Sequence, residues 1–344
     1  MKGPLTIGGI AIAPGERATI RIPVGRRHTH HDVWLPTSVV HGARGGPRLF
    51  VCAAVHGDEI GGVEIIRRLL HLRLLAQLRG ALIAVPIVNV YGFTTKRREL
   101  PDGRDLNRAF PGSPTGSLTS RLAHVFMQEV VENASHGIDL HTGSSHRANL
   151  PQIRACLDDE ETERLARAFG TPVILDANVR DGSLRQAVLE RHIPMLLYEG
   201  GEALRFDEAA IRAGVRGIVA VMRAIGMLPE AKKSRPPVEP VVARSSYWAR
   251  APEGGILRPT VVLGARVKKR DLLGVLSDPL GEHEVEVRAP TSGIIIGRTN
   301  LPLVNEGDAL FHIATFESPR TVEEQLETYK ALLEVEGFDP AERY

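Results

Sequence analysis

The segment Leu49-Phe-Val-Cys-Ala-Ala-Val55, followed directly by His56-Gly-Asp-Glu59, decides the fold of this chain. Its apolar residues predict a buried strand, and the polar residues follow where that strand ends. An imidazole and a carboxylate at this spacing can turn toward one point, and catalytic zinc sites combine such ligands with an open position for water. Taken alone, the pattern also fits a surface loop after a core strand, so its interpretation depends on the rest of the chain.

Beyond this segment, the apolar pattern alternates between the periods of helices and strands. Helices are predicted over residues 60–78, 118–133, 158–169, 183–191 and 207–225. Strands are predicted over residues 81–90, 137–141, 173–176 and 193–198. Such alternation is typical of a mainly parallel sheet. We therefore expect an α/β fold with a mixed, mainly parallel sheet and helices on both faces.

Composition excludes several classes of protein. The 43 Lys and Arg residues nearly balance the 41 Asp and Glu residues, so no strong field points to nucleic acid or a membrane as partner. No apolar run is long enough to span a membrane, and the N-terminus has no apolar signal region, so we expect a cytoplasmic protein. The two cysteines, Cys52 and Cys156, each lie in an apolar run, which predicts buried thiols rather than a disulfide framework.

A chain of 344 residues suits two domains, and residues 228–244 contain four prolines without helical periodicity. This composition predicts a linker. We place the boundary so that residues 1–240 form the α/β domain, with an N-terminal β extension, and residues 241–344 form the second domain.

The second domain contains an internal repeat. Ala251-Pro, Gly255-Ile and Leu272 recur 38 residues later as Ala289-Pro, Gly293-Ile and Leu310. Two similar halves built of short strands predict a small all-β barrel or sandwich, which resembles biotinyl and lipoyl carrier domains. The hairpin region 277–287 has no lysine to carry a swinging arm, so a carrier function is not expected. The sequence from Thr321 to the C-terminus predicts a helix, which either packs on the rest of the protein or forms the interface of a homo-oligomer.

Candidate catalytic residues follow three predicted strands. His56 and Glu59 follow the first, His141 ends the strand within Asp-Leu-His-Thr-Gly143, and Glu199 follows the strand that ends at Tyr198. Ligands of open α/β sheets bind at the carboxyl ends of strands, so these side chains can converge. His56, Glu59 and His141 then form a two-histidine, one-carboxylate zinc site with an open position. Glu199 is a general base for water, the partner of a nearby arginine, or the cap of a turn before Gly200-Gly201.

The segment from Arg98 to Gly112 carries a second candidate feature. Asn107 and Arg108 stand side by side in a loop rich in glycine and proline. An amide beside a guanidinium matches a substrate carboxylate, because arginine can donate two parallel hydrogen bonds to it. The alternative is a polar loop with Arg108 in a surface ion pair.

These motifs occur together in an order that resembles the succinylglutamate desuccinylase and aspartoacylase family, relatives of the zinc carboxypeptidases. The resemblance spans residues 45–225, and the C-terminal β region is also similar to that family. It implies a zinc-dependent hydrolase that cuts the amide bond of an N-acyl amino acid and binds one Zn²⁺ per chain. The implied zinc ligands are His56, Glu59 and His141. The resemblance also implies that Glu199 is the general base and that Asn107 and Arg108 bind the carboxylate of the amino acid. It implies that Arg98 polarises the scissile carbonyl, and Arg97 and Arg104 are alternatives to Arg98 in this role.

Two other functions stay open at this point. A carboxypeptidase acting on peptides needs the same metal ligands in an open groove. A non-catalytic zinc-binding or assembly protein needs no general base. The acyl group and the amino acid are also open, with N-acetyl-diaminobutyrate among the candidates, and no residue in the sequence identifies them.

Overall fold

The computed structural model describes residues 4–144, 146–230 and 240–316. The strands of these ranges are β1 (Leu5–Ile7), β2 (Ile10–Ile12), β3 (Arg17–Arg26), β4 (Asp32–His41), β5 (Arg44–Ala53), β6 (Arg79–Val85), β7 (His136–Gly143), β8 (Arg147–Ala155), β9 (Val173–Asp176), β10 (Met195–Glu202), β11 (Val241–Ala243), β12 (Ser245–Arg250), β13 (Gly255–Pro259), β14 (Arg266–Val267), β15 (Leu272–Ser277), β16 (Glu284–Arg288), β17 (Gly293–Thr299), β18 (Leu303–Val304) and β19 (Ala309–Thr315). The α-helices are α1 (Gly61–Leu70), α2 (Val90–Thr95), α3 (Leu118–Glu129), α4 (Glu160–Phe169), α5 (Leu184–Leu189) and α6 (Glu208–Ala224). Short 3-10 helices cover Arg73–Gln77, Leu106–Arg108 and Val131–Asn133.

A large mixed sheet organises the molecule, with the strand order β12-β19-β17-β8-β10-β7-β5-β6-β4-β3. Its four central strands, β10, β7, β5 and β6, are parallel. Antiparallel strands flank them, with β8 on one side and β4 and β3 on the other. The predicted mixed sheet with a parallel centre is therefore confirmed.

Helices cover both faces of the central strands. On one face, α1, α4 and α6 pack against Leu49, Val51 and Ala53. On the other face, α3, α5 and the N-terminal strands pack against Phe50 and Cys52. Because successive side chains of a strand point to opposite faces, β5 contributes to both cores and is fully buried over these residues.

The predicted helix over residues 60–78 is wrong in its second half. The helix α1 ends at Leu70, Leu72 has an extended backbone, and a 3-10 helix follows. Leu72, Leu75 and Leu78 are all buried. Their spacing of three residues matches the period of the 3-10 helix, which explains why the chain leaves the α conformation here.

The predicted strand over residues 81–90 is also too long. The strand β6 ends at Val85, before Pro86, and the Asn89 side chain then caps α2 by accepting a hydrogen bond from Gly92 N at 2.8 Å. An asparagine cap ends the extended backbone and starts a helix, and the short helix α2 was not predicted.

The C-terminal strands form a second sheet with the order β16-β15-β13-β18, and also extend the large sheet. The repeat is visible in the structure, since β13 begins at Gly255 and β17 at Gly293. Part of the predicted linker is instead strand, because β11 pairs in parallel with β9. The domain boundary near residue 240 stays a prediction, and the helix predicted from Thr321 lies outside the described residues.

Two smaller expectations concern thiols and membranes. Both cysteines are free, as expected. Cys52 is buried in β5, whereas Cys156 follows β8 and is half-buried, so the prediction of a buried thiol is wrong for Cys156. No helix within the described residues is long and apolar enough to cross a membrane.

Candidate metal centre and substrate cleft

The three strand ends that carry the candidate ligands are neighbours in the sheet. The strand β7 lies between β5 and β10, with Glu199 directly opposite His141. The strand predicted to end at Tyr198 is too short, because β10 continues to Glu202 and Glu199 lies within it. His56 follows β5 after Ala54, whose positive φ of 50° turns the chain out of the strand. Parallel strands meet at one edge with their carboxyl ends, so the polar side chains are brought together there.

His56, Glu59 and His141 converge on one point. The Nδ1 atom of His56 lies 2.8 Å from Glu59 Oε1, and the Nδ1 atom of His141 lies 2.8 Å from Glu59 Oε2. One possible ligand atom from each residue lies within 4.8 Å of the others, and all three side chains are buried. The predicted residues are thus assembled into a group that can hold a metal ion.

The far nitrogen of each histidine contacts a carboxylate. His56 Nε2 lies 3.1 Å from Asp105 Oδ1, and His141 Nε2 lies 2.7 Å from Asp139 Oδ2. Histidines that bind zinc commonly donate their second N–H to a carboxylate, which fixes the tautomer and the ring orientation. Both rings therefore present Nδ1 to the centre, and the donor set of two imidazoles and one carboxylate fits zinc. No role was assigned to Asp105 from the sequence.

The charges of the centre stabilise one another. Burial alone would raise the pKa of Glu59, but His56 and His141 outweigh it and hold this pKa well below its usual range. Burial would lower the pKa of His141, but Asp139 and Glu59 outweigh it and raise this pKa well above its usual range. The buried carboxylate is therefore ionised, as a metal ligand must be.

A glycine places the loop that carries His56 and Glu59. A Cβ atom on Gly57 would lie 2.0 Å from the carbonyl carbon of Gly92, so only glycine allows the loop to approach α2 this closely. Gly57 N and the Asn89 side chain both donate hydrogen bonds to the carbonyl oxygen of Arg98, at 3.4 and 3.0 Å. The metal loop and Arg98 are therefore held as one unit.

Of the three arginines considered for the scissile carbonyl, Arg98 is the one placed at the centre. Its guanidinium lies 3.3 Å from Glu59 Oε1 and donates to Asp105 Oδ2 at 2.9 Å. Arg97 and Arg104 are exposed, and neither lines the cleft. Of these three arginines, the structure therefore places Arg98 beside the candidate metal ligands and the other two away from the cleft.

The metal centre opens into a cleft of about 210 Å³. Glu199 lies in its wall, where it accepts a hydrogen bond from Asn149 Nδ2 at 2.5 Å and lies 3.3 Å from Arg154 Nε. The structure is compatible with Glu199 as an arginine partner and with Glu199 as a general base. Glu199 contacts Arg154, and it also borders the cleft that contains the candidate metal ligands.

Asn107 and Arg108 also line the cleft. The Oδ1 atom of Asn107 accepts a hydrogen bond from Leu184 N at 2.9 Å, which leaves the amide nitrogen as its donor group. The Arg108 guanidinium donates to the backbone oxygen of Asn107. Phe110 N donates to the carbonyl oxygen of Gly182 at 3.0 Å, so this loop is docked on the turn before α5.

Several residues that line the cleft were missed by sequence reasoning. Asn149 and Arg154 come from β8, Arg180 and Arg185 come from the region of α5, and Trp248 comes from β12. A signal existed in β8, where Arg-Ala-Asn-Leu-Pro-Gln-Ile-Arg154 mixes polar and apolar residues just after the Asp-Leu-His-Thr-Gly motif. Trp248 gave no such signal, because its position depends on pairing across the C-terminal strands.

Comparison with known proteins agrees with this geometry. The family model for the succinylglutamate desuccinylase/aspartoacylase catalytic domain matches residues 45–225. An N-alpha-acetyl-L-2,4-diaminobutyric acid deacetylase from Halomonas elongata is 30% identical over 298 residues, which cover 82% of this chain and 86% of the relative. The chain belongs to the succinylglutamate desuccinylase/aspartoacylase family. The resemblance inferred from the motifs is therefore confirmed, and with it membership of a family of deacylases.

Solved structures of other proteins share the fold of this chain. A succinylglutamate desuccinylase/aspartoacylase from Rhodobacter sphaeroides has a TM-score of 0.79 at 26% identity, and the match covers 88% of this chain and 96% of that one. The product-bound ectoine utilization protein EutE (DoeB) from Ruegeria pomeroyi has a TM-score of 0.81 at 24% identity, covering 92% of this chain and 100% of that one. The C-terminal β region therefore belongs to the shared architecture.

Proposed function

We propose that this protein is a zinc-dependent deacylase that hydrolyses the amide bond of a small N-acyl amino acid. The observation that carries the proposal is the convergence of His56 Nδ1, His141 Nδ1 and the Glu59 carboxylate at the base of a cleft that Glu199 also lines. Membership of a deacylase family and a relative named as a deacetylase support it. N-α-acetyl-L-2,4-diaminobutyrate is therefore one substrate to test.

The chemistry divides between the metal and this chain. When bound by His56, Glu59 and His141, zinc supplies a Lewis acid that makes water a nucleophile near neutral pH. Glu199 accepts the proton of the attacking water and returns it to the leaving amine. Asn149 holds one oxygen of this carboxylate at 2.5 Å and so fixes its orientation toward the cleft.

Arginine and amide groups position the substrate. Arg98 is already held by Glu59 and Asp105, and it donates to the acyl oxygen on which negative charge develops during attack. A preorganised donor of this kind contributes about 3 kcal/mol to transition-state stabilisation. Asn107 and Arg108 bind the α-carboxylate of the amino acid, which sets the distance between that carboxylate and the scissile bond.

The dimensions of the cleft favour a small substrate over a long peptide. Its volume is about 210 Å³, and Trp248 from β12 borders it on the side of the C-terminal strands. The Trp248 ring stacks on His312 with centroids 4.4 Å apart, and the Arg147 guanidinium lies 5.5 Å from the Trp248 ring centroid. These contacts hold the Trp248 ring in place, and the ring reduces the space that is available to a peptide chain in the cleft.

The test compares zinc-loaded wild type, Glu199→Gln and Glu202→Gln on a panel of N-acetyl and N-succinyl amino acids that includes N-α-acetyl-L-2,4-diaminobutyrate. Glu202 lies on the same strand but does not border the cleft, so it is a matched control. We expect Glu199→Gln to lower kcat by about 10²–10⁴-fold with zinc content unchanged, as loss of a general base does. Glu202→Gln keeps the wild-type rate. Full activity of Glu199→Gln, or a wild type that does not bind zinc, refutes the proposal.

A further inference from the structure

The side chain that holds Glu199 is packed against the C-terminal strands. Asn149 donates from Nδ2 to Glu199 Oε2 at 2.5 Å, and its own side chain is buried. Its strand, β8, pairs on one side with β10, which carries Glu199, and on the other side with β17. Across the second pairing, Asn149 lies directly opposite Gly297. The hydrogen bond to Glu199 is therefore made beside a strand that lies outside the catalytic-domain match.

Gly297 leaves the space that the Asn149 amide occupies. A Cβ atom at position 297 would lie 3.0 Å from Asn149 Oδ1 and 3.1 Å from His312 Cβ. Both distances are shorter than an ordinary van der Waals contact of a carbon atom. Gly297 lies within β17 and has no positive φ, so the backbone conformation does not require glycine here. What the position provides is the absence of a side chain.

The opposite side of this space is fixed. The His312 ring stacks on Trp248 with centroids 4.4 Å apart, and its Nε2 atom lies 2.8 Å from Ser246 Oγ. The backbone of Gly297 is also held, because β17 is paired with β8 on one side and with β19 on the other. A methyl group at position 297 would therefore displace the Asn149 amide rather than His312. The displaced amide is the group that contacts Glu199.

The internal repeat indicates that the fold does not by itself require this glycine. At the repeat offset of 38 residues, Gly297 and His312 correspond to Pro259 and Gly274, and both pairs lie opposite each other in their sheets. One member of each pair is glycine, but it lies on the second strand in the first half and on the first strand in the second half. Only the second pair adjoins β8, and there the glycine is the residue beside Asn149.

We propose that Gly297 is a positioning residue for the general base. The inference rests on the proposed function, in which Glu199 accepts and returns the proton. Gly297 leaves room for the Asn149 amide, and Asn149 holds the Glu199 carboxylate toward the cleft. Gly297 does not itself border the cleft. The C-terminal strands thus act on the chemical step through Asn149, in addition to forming part of the cleft wall.

Gly297→Ala in the zinc-loaded protein tests the proposal, on the N-acyl amino acid of the panel that the wild type hydrolyses fastest. Displacement of an orienting group by less than 1 Å can lower a rate by up to about 10²-fold. We expect kcat to fall by about tenfold, with KM within about threefold of wild type because Asn107 and Arg108 are untouched. An unchanged kcat in folded Gly297→Ala overturns the proposal.

Gly274→Ala is the matched control. A Cβ atom at position 274 would be equally confined, at 2.9 Å from the carbonyl oxygen of Arg258, but Gly274 does not border the cleft and pairs with Pro259. It therefore perturbs the packing of the C-terminal strands without reaching Asn149. Circular dichroism checks the folding of both variants. A loss of kcat in Gly274→Ala equal to that in Gly297→Ala contradicts the positioning role.

A double-mutant cycle separates positioning from a general loss of packing. Asn149→Ala removes the hydrogen bond to Glu199 and also the amide that the new methyl group would displace. We expect this variant to lower kcat by about 10–100-fold, as loss of a hydrogen bond to a charged group does. In the Asn149→Ala background, Gly297→Ala then has no further effect on kcat. If the two losses multiply instead, Gly297 acts by another route and the proposal is wrong.

A crystal structure of Gly297→Ala gives a result that does not depend on activity. We expect the distance from Asn149 Nδ2 to Glu199 Oε2 to increase from 2.5 Å to more than about 3.5 Å, beyond hydrogen-bond range. An unchanged distance refutes the positioning role even if kcat falls. A lengthened distance together with full activity of Glu199→Gln supports the link from Gly297 to Glu199 and refutes the proposed role of Glu199 as general base.

Discussion

Asp139 offers a sharp test of the metal centre. Its Oδ2 atom lies 2.7 Å from His141 Nε2, its Oδ1 atom accepts a hydrogen bond from Cys52 Sγ at 3.4 Å, and its side chain is 1% exposed. In Asp139→Asn the shape is kept and the charge is lost. A hydrogen bond to a charged group contributes about 1.5–3 kcal/mol, which corresponds to about 10–150-fold in affinity. We therefore expect zinc affinity to fall by about 10–100-fold, the range typical of such supporting carboxylates.

The assay is a competitive zinc titration against a chromophoric chelator, with a circular dichroism spectrum to confirm folding. Asp105→Asn is the comparison, because Asp105 supports His56 in the same way but its side chain is 21% exposed and shared with Arg98. Since solvent screens the more exposed charge, we expect the smaller loss in Asp105→Asn. Zinc affinity within threefold of wild type in Asp139→Asn, with a native spectrum, refutes the reasoning.

Three further predictions concern stability, measured by chemical denaturation. Asp207 caps α6 by accepting from Ala210 N at 3.0 Å, so Asp207→Ala lowers the free energy of unfolding by about 1 kcal/mol. The buried Tyr198 hydroxyl donates to Ala210 O at 2.7 Å, so Tyr198→Phe lowers it by about 1–2 kcal/mol. Arg67 holds the pKa of Glu64 at about 2 in the folded state, against 4.5 ordinarily, so Glu64→Gln destabilises the protein at pH 7. That difference from wild type declines as the pH falls from about 4.5 toward 2, because the stabilisation depends on the ionised carboxylate. An unchanged difference at pH 2 contradicts it.

The sequence was sufficient to predict the central strands and the convergence of the candidate metal ligands, because both depend on local signals. The second half of β5, Leu49–Ala53, is continuously apolar and buried on both faces, and His56 follows three residues after its end. The parallel order of β10, β7 and β5 then brings Glu199 opposite His141. Alternating strands and helices imply a parallel sheet, and in a parallel sheet the carboxyl ends of the strands lie at the same edge. The convergence of the side chains at these ends can therefore be predicted from the strand pattern alone.

Elements whose stability comes from distant pairing were harder to predict. The strand β8 contains a proline and two arginines, and Pro151 interrupts its alternation of polar and apolar residues, so its strand pattern is weak. It forms because β10 pairs with it on one side and β17 on the other. The same pairing places Asn149 beside Glu199 and Arg154 beside Leu197, so missing the strand meant missing two residues of the cleft.

The cleft extends beyond the segment that identifies the family. The catalytic-domain match ends at residue 225, yet Trp248 borders the cleft, and its ring is stacked on His312 of β19. These strands reach the site because Gly297 of β17 pairs with Asn149 of β8, the residue that holds Glu199. The metal centre is thus built by the family segment, whereas one wall of the substrate cleft is built by the C-terminal strands. Under the proposed function, a residue outside the catalytic segment, Trp248, borders the substrate cleft, so we expect substrate preference to differ between relatives that share the same candidate metal ligands.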